Sequence, residues 1–290
     1  MKLAFVGVEN SHAPAFLQLI QKNPEKYGDI EVVGVYSYDG AAADKLVADG
    51  LAPRAVRTAG AFLTGADGVD AADCVVNTAR HGDNHYEYSL PYLRAGIPMF
   101  IDKPFAMTTE RAREMVEAAK AGGANLCGGS CLKFAPELAA LKRSIDAGEL
   151  GSVLSATFSA PVNMSNPYGG FFFYAQHLLQ MMTAVFGNHA QSVYAKARDN
   201  AVTAIVTYPH IDITLHYVGY CYSASIYGDK ASRHVQIGDV GALYGPEFDE
   251  LHTMLRTGIM PETYDDLLYP VSVLEALYLS YKTGREIAVL

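Results

Sequence analysis

The chain has 290 residues, half of them apolar, and a formal net charge of −9 at pH 7. This length accommodates one large α/β domain or, more readily, two domains that share an interface. Because no cluster of Lys or Arg could neutralise phosphates, we do not expect nucleic acid as a partner. The apolar start, Met1–Val8, meets Glu9 too early for a signal peptide, and no apolar run reaches the length of a membrane span. We therefore expect a cytoplasmic protein with no membrane partner.

The first 125 residues alternate strand-like and helix-like patterns. The predicted strands are Lys2–Gly7, Ile30–Tyr36, Arg54–Val56, Ala72–Asn77, Ile97–Ile101 and Asn125–Cys127. The predicted helices are Pro14–Lys22, Ala41–Asp49, His85–Ala95 and Thr109–Ala121, the last with Thr109 as its N-cap. This alternation predicts an α/β fold with a doubly wound parallel sheet.

From about residue 128 the pattern changes to strands with short separators. The predicted strands are Val153–Pro161, Gln191–Ala197, Ala201–Tyr208, Ile211–Tyr220, Tyr222–Tyr227 and Arg233–Ile237. The predicted helices are Pro136–Ala147, Phe171–Phe186 and Asp265–Thr283. Hairpins connect such strands, so we expect a large, open, mainly antiparallel sheet. The predicted domains are residues 1–127 and 128–290.

The four cysteines, Cys74, Cys127, Cys131 and Cys221, lie in apolar or glycine-rich contexts. Apart from one Cys-x3-Cys spacing they show no pairing typical of a metal site. We expect buried free thiols in a reducing compartment and no metal centre.

The turn after the first strand takes the place of the Gly-x-Gly-x-x-Gly turn that binds dinucleotides. Only the first glycine, Gly7, is present, and Glu9 would repel a pyrophosphate by about 1 to 4 kcal/mol. The helix that follows still offers unpaired N–H groups and a positive dipole end to an anion. An ordinary turn without a ligand is the alternative. The candidate cofactor contacts in this turn are Gly7, Val8, Asn10, Ser11 and His12.

Other candidate cofactor contacts follow the later strands, whose carboxyl ends line the ligand crevice of such sheets. They are Ser37, Tyr38, Thr78, Ala79, His85, Asp102 and Lys103. At Ser37 we find neither the acid that favours NAD nor a nearby Arg that favours NADP, so the preference stays open. Pro104 fixes its own backbone φ and stiffens the turn that aims Lys103.

Taken in order, these motifs resemble the glucose-fructose oxidoreductase and inositol dehydrogenase family (Gfo/Idh/MocA). The motifs are Gly7, His85, Asp102-Lys103-Pro104, Lys133-Phe134-Ala135-Pro136, Gly148-Glu149-Leu150-Gly151, the segment from Gly169 to His177, and a closing helix that contains Ser280. The resemblance implies a Rossmann domain and a second α/β domain with an open sheet. It also implies NAD- or NADP-linked redox chemistry on a sugar, polyol or related hydroxy or carbonyl compound.

The same resemblance implies two catalytic residues. Lys103 corresponds to the lysine of the family's Glu-Lys-Pro triplet and would stabilise the alkoxide that forms at the reacting oxygen. His177 corresponds to the histidine of the motif Asp-x-Gly-x-His-x-x-Asp and would act at that oxygen as general acid or base. Phe173 and Gln180 stand where that motif has acids. The apolar ring of Phe173 in the pocket wall would suit a less polar substrate than a plain sugar.

Candidate substrate contacts are Lys133, Tyr168, Phe173 and Gln180. The family also implies a homodimer or homotetramer through the second sheet.

Two other functions stay open. One is a non-catalytic member that binds or senses a small molecule or nucleotide, and the other is redox-neutral chemistry with a retained cofactor.

Overall fold

The chain divides into two units, which we describe separately in a computed structural model of residues 1–289. The first unit comprises Met1–Gly129 and, from much later in the chain, Tyr244–Leu267. The second comprises Ser130–Leu243 and the residues from Leu268 onward. The sequence placed Tyr244–Leu267 with the second domain, so the first unit is discontinuous where we expected one continuous segment.

The first unit is built on a parallel sheet of five strands, ordered β2-β1-β3-β4-β5. The strands are β1 Lys2–Val6, β2 Glu31–Tyr36, β3 Cys74–Asn77, β4 Met99–Asp102 and β5 Leu126–Gly129. The helices between them are α1 His12–Lys22, α2 Pro24–Tyr27, α3 Ala41–Ala48, α4 Ala61–Thr64, α5 Gly82–Arg94 and α6 Thr109–Gly122. The predicted doubly wound parallel sheet is confirmed.

The predicted strand Arg54–Val56 is wrong as a strand, because it pairs with β2 at a single bridge between Val35 and Ala55. Two backbone hydrogen bonds form there, from Val35 N to Arg54 O at 2.9 Å and from Val56 N to Val35 O at 3.0 Å. Pro53, just before this stretch, has no N–H to extend the ladder.

Two helix starts differ from the prediction because other side chains cap them. Helix α5 begins three residues before His85, and its cap is His81, whose Nδ1 accepts from the Asp83 N–H at 3.2 Å. Helix α6 is capped by Thr108 and not by Thr109; the Thr108 hydroxyl accepts a backbone N–H at 3.2 Å. His85 therefore lies inside its helix and is buried.

The second unit is built on a seven-stranded sheet, ordered β11-β10-β6-β9-β8-β7-β12. The strands are β6 Val153–Ala160, β7 Ser192–Arg198, β8 Ala201–Thr207, β9 Asp212–Tyr217, β10 Ser223–Gly228, β11 Ser232–Gln236 and β12 Ile287–Ala288. Only the β6–β9 pair is parallel, so the predicted mainly antiparallel sheet is confirmed. The helices are α7 Pro136–Asp146, α8 Phe172–Phe186 and most of α10 Tyr264–Thr283, with short 3-10 turns at Cys131–Phe134 and Val240–Leu243.

Helix α9, Tyr244–Thr257, was not predicted from the sequence. Phe248, Leu251 and Met254 recur at helical spacing and are buried in the core of the first unit. The Phe248 ring lies 5.1 Å from that of Phe16 on α1. This apolar face explains why the segment belongs to the first unit, and its spacing was the signal that could have revealed the helix.

Three of the four cysteines are buried free thiols, as expected, but Cys221 is exposed. Its neighbour Tyr220 is also fully exposed, in the connection between β9 and β10. Among the described residues, no helix combines the length and apolar character needed to cross a membrane.

We expect Gly7→Ala to destabilise the first unit more than Gly50→Ala. Both glycines have positive φ, at 70° and 72°. A Cβ on Gly7 would lie 2.5 Å from Ala79 backbone atoms, whereas nothing lies within 4 Å at Gly50. The strained φ alone costs about 1 to 2 kcal/mol, and the clash should add about 1 to 3 kcal/mol. Urea unfolding measures both; equal losses would contradict the close approach at Gly7.

Candidate active site

The loops after β1 and β3 meet where the strand order of the first sheet reverses, which is where ligands bind to such sheets. The Thr78 hydroxyl donates to the carbonyl of Gly7 at 3.1 Å. The Arg80 N–H donates to Glu9 Oε1 at 3.2 Å. The Val8 and Ala79 N–H groups are also paired inside the protein, with Tyr36 O and Asn77 Oδ1. These contacts fix the shape of the crevice loops.

Glu9 extends across the crevice edge to the end of β2. The Ser37 hydroxyl lies 3.1 Å from Glu9 Oε2 and 3.0 Å from Asp39 Oδ1. Ser37 is buried, whereas Tyr38 is exposed. Two carboxylates therefore flank Ser37, although Ser37 itself is not an acid. Asp39 follows it closely in the chain, whereas Glu9 comes from the loop after β1.

Asp102, at the end of β4, is fully buried and connects three parts of the first unit. Its Oδ1 accepts the backbone N–H of Lys103 at 2.7 Å. Its Oδ2 accepts from Asn10 Nδ2 at 2.9 Å and lies 3.2 Å from His12 Nδ1. Lys103 is itself only 4% exposed, which is rare for a lysine unless its charge is paired. Asp102 thus ties the backbone of the lysine turn to the loop that leads into α1.

His12, a predicted cofactor contact, is buried between two acids. Its Nε2 lies 3.3 Å from Glu247 Oε2 on α9, and its Nδ1 faces Asp102. Burial opposes a charge on the ring, but the attraction of Asp102 and Glu247 outweighs it and raises the pKa of His12. Ser11 is exposed, and its hydroxyl lies 3.0 Å from that of Tyr244. Neither Glu247 nor Tyr244 was predicted as a partner, because both lie more than 230 residues away in the chain.

His85 supports the lysine turn from the other side. Its Nδ1 lies 2.6 Å from the carbonyl oxygen of Pro104, and the Lys103–Pro104 peptide is cis. A carbonyl can only accept, so Nδ1 carries the hydrogen and donates it. Burial lowers the pKa of His85, against the pull of Asp102, and favours the neutral ring. The contact with Pro104 makes His85 a positioning residue for the turn; its contact with a cofactor stays a prediction.

In the second unit, His177 on α8 is buried, and its Nδ1 lies 2.6 Å from the hydroxyl of Ser130. The Ser130 hydroxyl also accepts the Leu132 N–H at 3.1 Å. Gln180 Oε1 accepts the Ser130 N–H at 2.5 Å and is buried. The predicted substrate contact Gln180 therefore holds the serine that orients the His177 ring.

The remaining predicted substrate contacts are half-buried. The rings of Tyr168 and Phe173 lie 5.9 Å apart, and Lys133 Nζ lies 5.0 Å from the Phe134 ring. Phe171 is buried against Tyr217, whereas the two phenylalanines that follow it are half-buried. An aromatic surface thus stands where the family resemblance would place an acid.

A parallel doubly wound sheet with ligand loops at its switch point defines the class of Rossmann-fold dinucleotide-binding proteins. Residues 1–129 match the family model described as "oxidoreductase family, NAD-binding Rossmann fold" (Gfo/Idh/MocA). For these first 129 residues the match confirms the resemblance to the Gfo/Idh/MocA oxidoreductase family.

Known relatives are similar to this chain over part of their length. An uncharacterized oxidoreductase, YhhX of Escherichia coli, is 25% identical over 205 residues, which is 64% of this chain and 57% of that protein. Inositol 2-dehydrogenase of Pseudomonas syringae is 35% identical over 125 residues, covering 43% of this chain and 36% of that protein. The chain thus matches little more than half, or less, of these curated relatives.

Solved structures resemble the fold of this chain over its full length. The crystal structure of GenD2 from gentamicin A biosynthesis, in complex with NAD, superposes with a TM-score of 0.85. It covers 100% of this chain and 96% of GenD2 at 17% identity, so this likeness concerns the fold alone.

The crevice residues fit a nicotinamide dinucleotide in two respects. Gly7 has the positive φ of a tight turn, and its missing Cβ lets the loop approach Ala79. Ser11, at the N-cap of α1, makes no side-chain cap hydrogen bond, so its hydroxyl leaves the first-turn N–H groups to an anion. Glu9 is the departure, although both of its oxygens already accept hydrogen bonds within the protein.

We expect the contribution of His85 to the stability of the wild type to fall as the pH drops below the ordinary pKa of histidine. Folded His85 stays neutral while unfolded His85 takes up a proton, so the unfolded state binds more protons there. His85→Gln should lose about 1 kcal/mol less between pH 7 and pH 5.5. Urea unfolding at the two values measures this, with exposed His210→Gln as the control. Equal losses in wild type and His85→Gln would refute a neutral, buried ring.

Proposed function

We propose that the protein is a nicotinamide-dependent oxidoreductase that transfers a hydride between NAD(H) or NADP(H) and a small hydroxy or carbonyl compound. The observation that carries this proposal is the buried Lys103 at the carboxyl end of β4, held by Asp102 beside the switch-point loops. The inositol 2-dehydrogenase relatives favour a polyol or sugar-like substrate.

Lys103 has the chemistry to stabilise negative charge on the reacting oxygen. When bound, the nicotinamide ring accepts or donates the hydride. An ammonium group in a buried environment stabilises a developing alkoxide more strongly than one in water, because the local dielectric is low. Asp102 and His85 fix the backbone on either side of the lysine, which keeps its place constant during the reaction.

His177 is the second proposed catalytic residue, as general acid or base. Its contact with Ser130 fixes the ring, and Gln180 fixes Ser130. Phe173 cannot relay a proton, so proton transfer must use His177 without the neighbouring acid that the family motif supplies. Together with Tyr168, the phenylalanine ring favours a substrate with an apolar face.

A second candidate is a non-catalytic protein that binds a nucleotide or small molecule. The observation that favours it is Glu9, a carboxylate in the place of the second fingerprint glycine. Redox-neutral chemistry with a retained cofactor stays a further alternative.

A cytoplasmic location and a homodimer or homotetramer through the seven-stranded sheet also stay predictions.

NADH fluorescence titration tests the proposal, together with turnover of a polyol and sugar panel that includes myo-inositol. We expect NADH to bind, and Lys103→Met to abolish turnover while the NADH Kd changes less than about threefold, because the lysine acts on the substrate oxygen. Lys45→Met, at an exposed lysine, is the control. Absence of NADH and NADPH binding would refute the oxidoreductase, and binding without turnover would favour the second candidate.

We expect NADH to bind at least about tenfold more tightly than NADPH, because Glu9 and Asp39 flank Ser37, where the adenosine ribose binds in this fold. A 2′-phosphate there would face two carboxylates. Glu9→Gln should narrow the ratio by strengthening NADPH binding. The two Kd values measure it, with exposed Glu25→Gln as the control. A wild type that prefers NADPH would refute this preference but not the oxidoreductase.

A further inference from the structure

Besides His85, which donates to the Pro104 carbonyl, four ionisable side chains of the first unit lie buried around the end of β4. They are Asp102, His12, Lys103 and Glu247, and none is more than 4% exposed. Three of them belong to the segment that matches the family, whereas Glu247 lies on α9, outside it. A buried charge is costly unless an opposite charge accompanies it. Each member of this group therefore depends on the others.

The His12 ring faces a carboxylate at each nitrogen, with Asp102 Oδ2 at 3.2 Å from Nδ1 and Glu247 Oε2 at 3.3 Å from Nε2. Neither contact has the geometry of a hydrogen bond, so both are ion-pair contacts. A neutral imidazole would leave one unprotonated nitrogen beside a carboxylate. Only the doubly protonated ring offers an N–H to each side. The Tyr244 ring, 4.5 Å from His12, covers the ring without adding a charge.

With His12 protonated, the four charges balance. Asp102 and Glu247 contribute two negative charges, and His12 and the Lys103 ammonium contribute two positive ones. Lys103 is close enough that its charge opposes protonation of His12, which burial opposes more strongly; the two acids overcome both and raise the pKa of His12. Glu247 supplies the second of the two attractions that overcome this opposition.

We propose that Glu247 is a positioning residue for Lys103: it keeps His12 doubly protonated against Asp102, and Asp102 holds the backbone of Lys103. The contact from Asp102 Oδ1 to the Lys103 N–H, at 2.7 Å, is the last link. The significance of this link for catalysis rests on the proposed function of Lys103. The helix that carries Glu247 is anchored independently, because Phe248 and Leu251 are buried in the core of the unit.

The charge state of His12 can be measured without a variant or a substrate. A neutron structure of the wild-type protein at pH 7.5 should show hydrogen on both ring nitrogens of His12. A single hydrogen would overturn the proposal. This result does not depend on cofactor binding. A wild type that binds neither NADH nor NADPH would refute the proposed function, whereas the neutron structure would still decide the charge state of His12.

The link to Lys103 is tested by crystal structures of Glu247→Gln and of the control Glu250→Gln, which changes the same side chain on the same helix. Glutamine keeps the shape of Glu247 but removes its charge, so His12 should lose a proton. The attraction between His12 and Asp102 should then weaken, so the distance from His12 Nδ1 to Asp102 Oδ2 should lengthen from 3.2 Å and Lys103 should shift with Asp102. Wild-type geometry at His12, Asp102 and Lys103 in Glu247→Gln would overturn the proposal.

Unfolding and binding separate positioning from a general loss of structure. Stability from a raised His12 pKa is fully present below the ordinary histidine pKa and is lost as the pH rises through the folded value. Glu247→Gln should lose it at a lower pH than wild type, with the NADH Kd changed less than about threefold. An unchanged pH dependence, or NADH binding that is lost together with the fold, would count against a positioning role.

Discussion

The carboxylate of Asp102 is the contact on which the rest of the candidate site depends. This carboxylate is fully buried, and burying an ionised carboxylate without partners costs free energy. Its neighbours must therefore supply hydrogen-bond donors and positive charge. Asn10 and His12 meet one oxygen, and the backbone of Lys103 meets the other. The family's usual acid at this position is one methylene longer. The shorter side chain keeps the carboxylate close to the turn that carries the lysine.

The two buried histidines beside Lys103 show that burial alone does not decide a charge. Burial acts on both rings and disfavours the cation in each. His12 lies between two acids, which raise its pKa, whereas His85 donates to a carbonyl and has its pKa lowered by burial. The lysine turn is thus held by an ionic contact on one side and a neutral hydrogen bond on the other, and the two contributions to stability change with pH in opposite directions.

Much of the first sheet and the position of Lys103 could be predicted, because both follow from local patterns: buried strands that alternate with helices, and a stiff turn at a strand end. The partners of His12 and Ser37 could not be predicted. Glu247 comes to His12 only through the packing of α9, and Glu9 comes to Ser37 only because β1 and β2 are neighbours. Local spacing predicts where a side chain leaves the backbone, but charge partners depend on packing between distant segments.

Helix α9 determines when the first unit can fold during synthesis. Its buried residues Phe248, Leu251 and Met254 complete the core that α1 begins, almost the whole chain earlier. During synthesis, the first unit cannot complete this core until Ser130–Leu243 of the second unit has been made, because α9 follows that segment in the chain. A fragment that stops at Gly129 would carry the whole family match and still expose the apolar side of α1, so the evolutionary segment and the folding unit are different pieces of this chain.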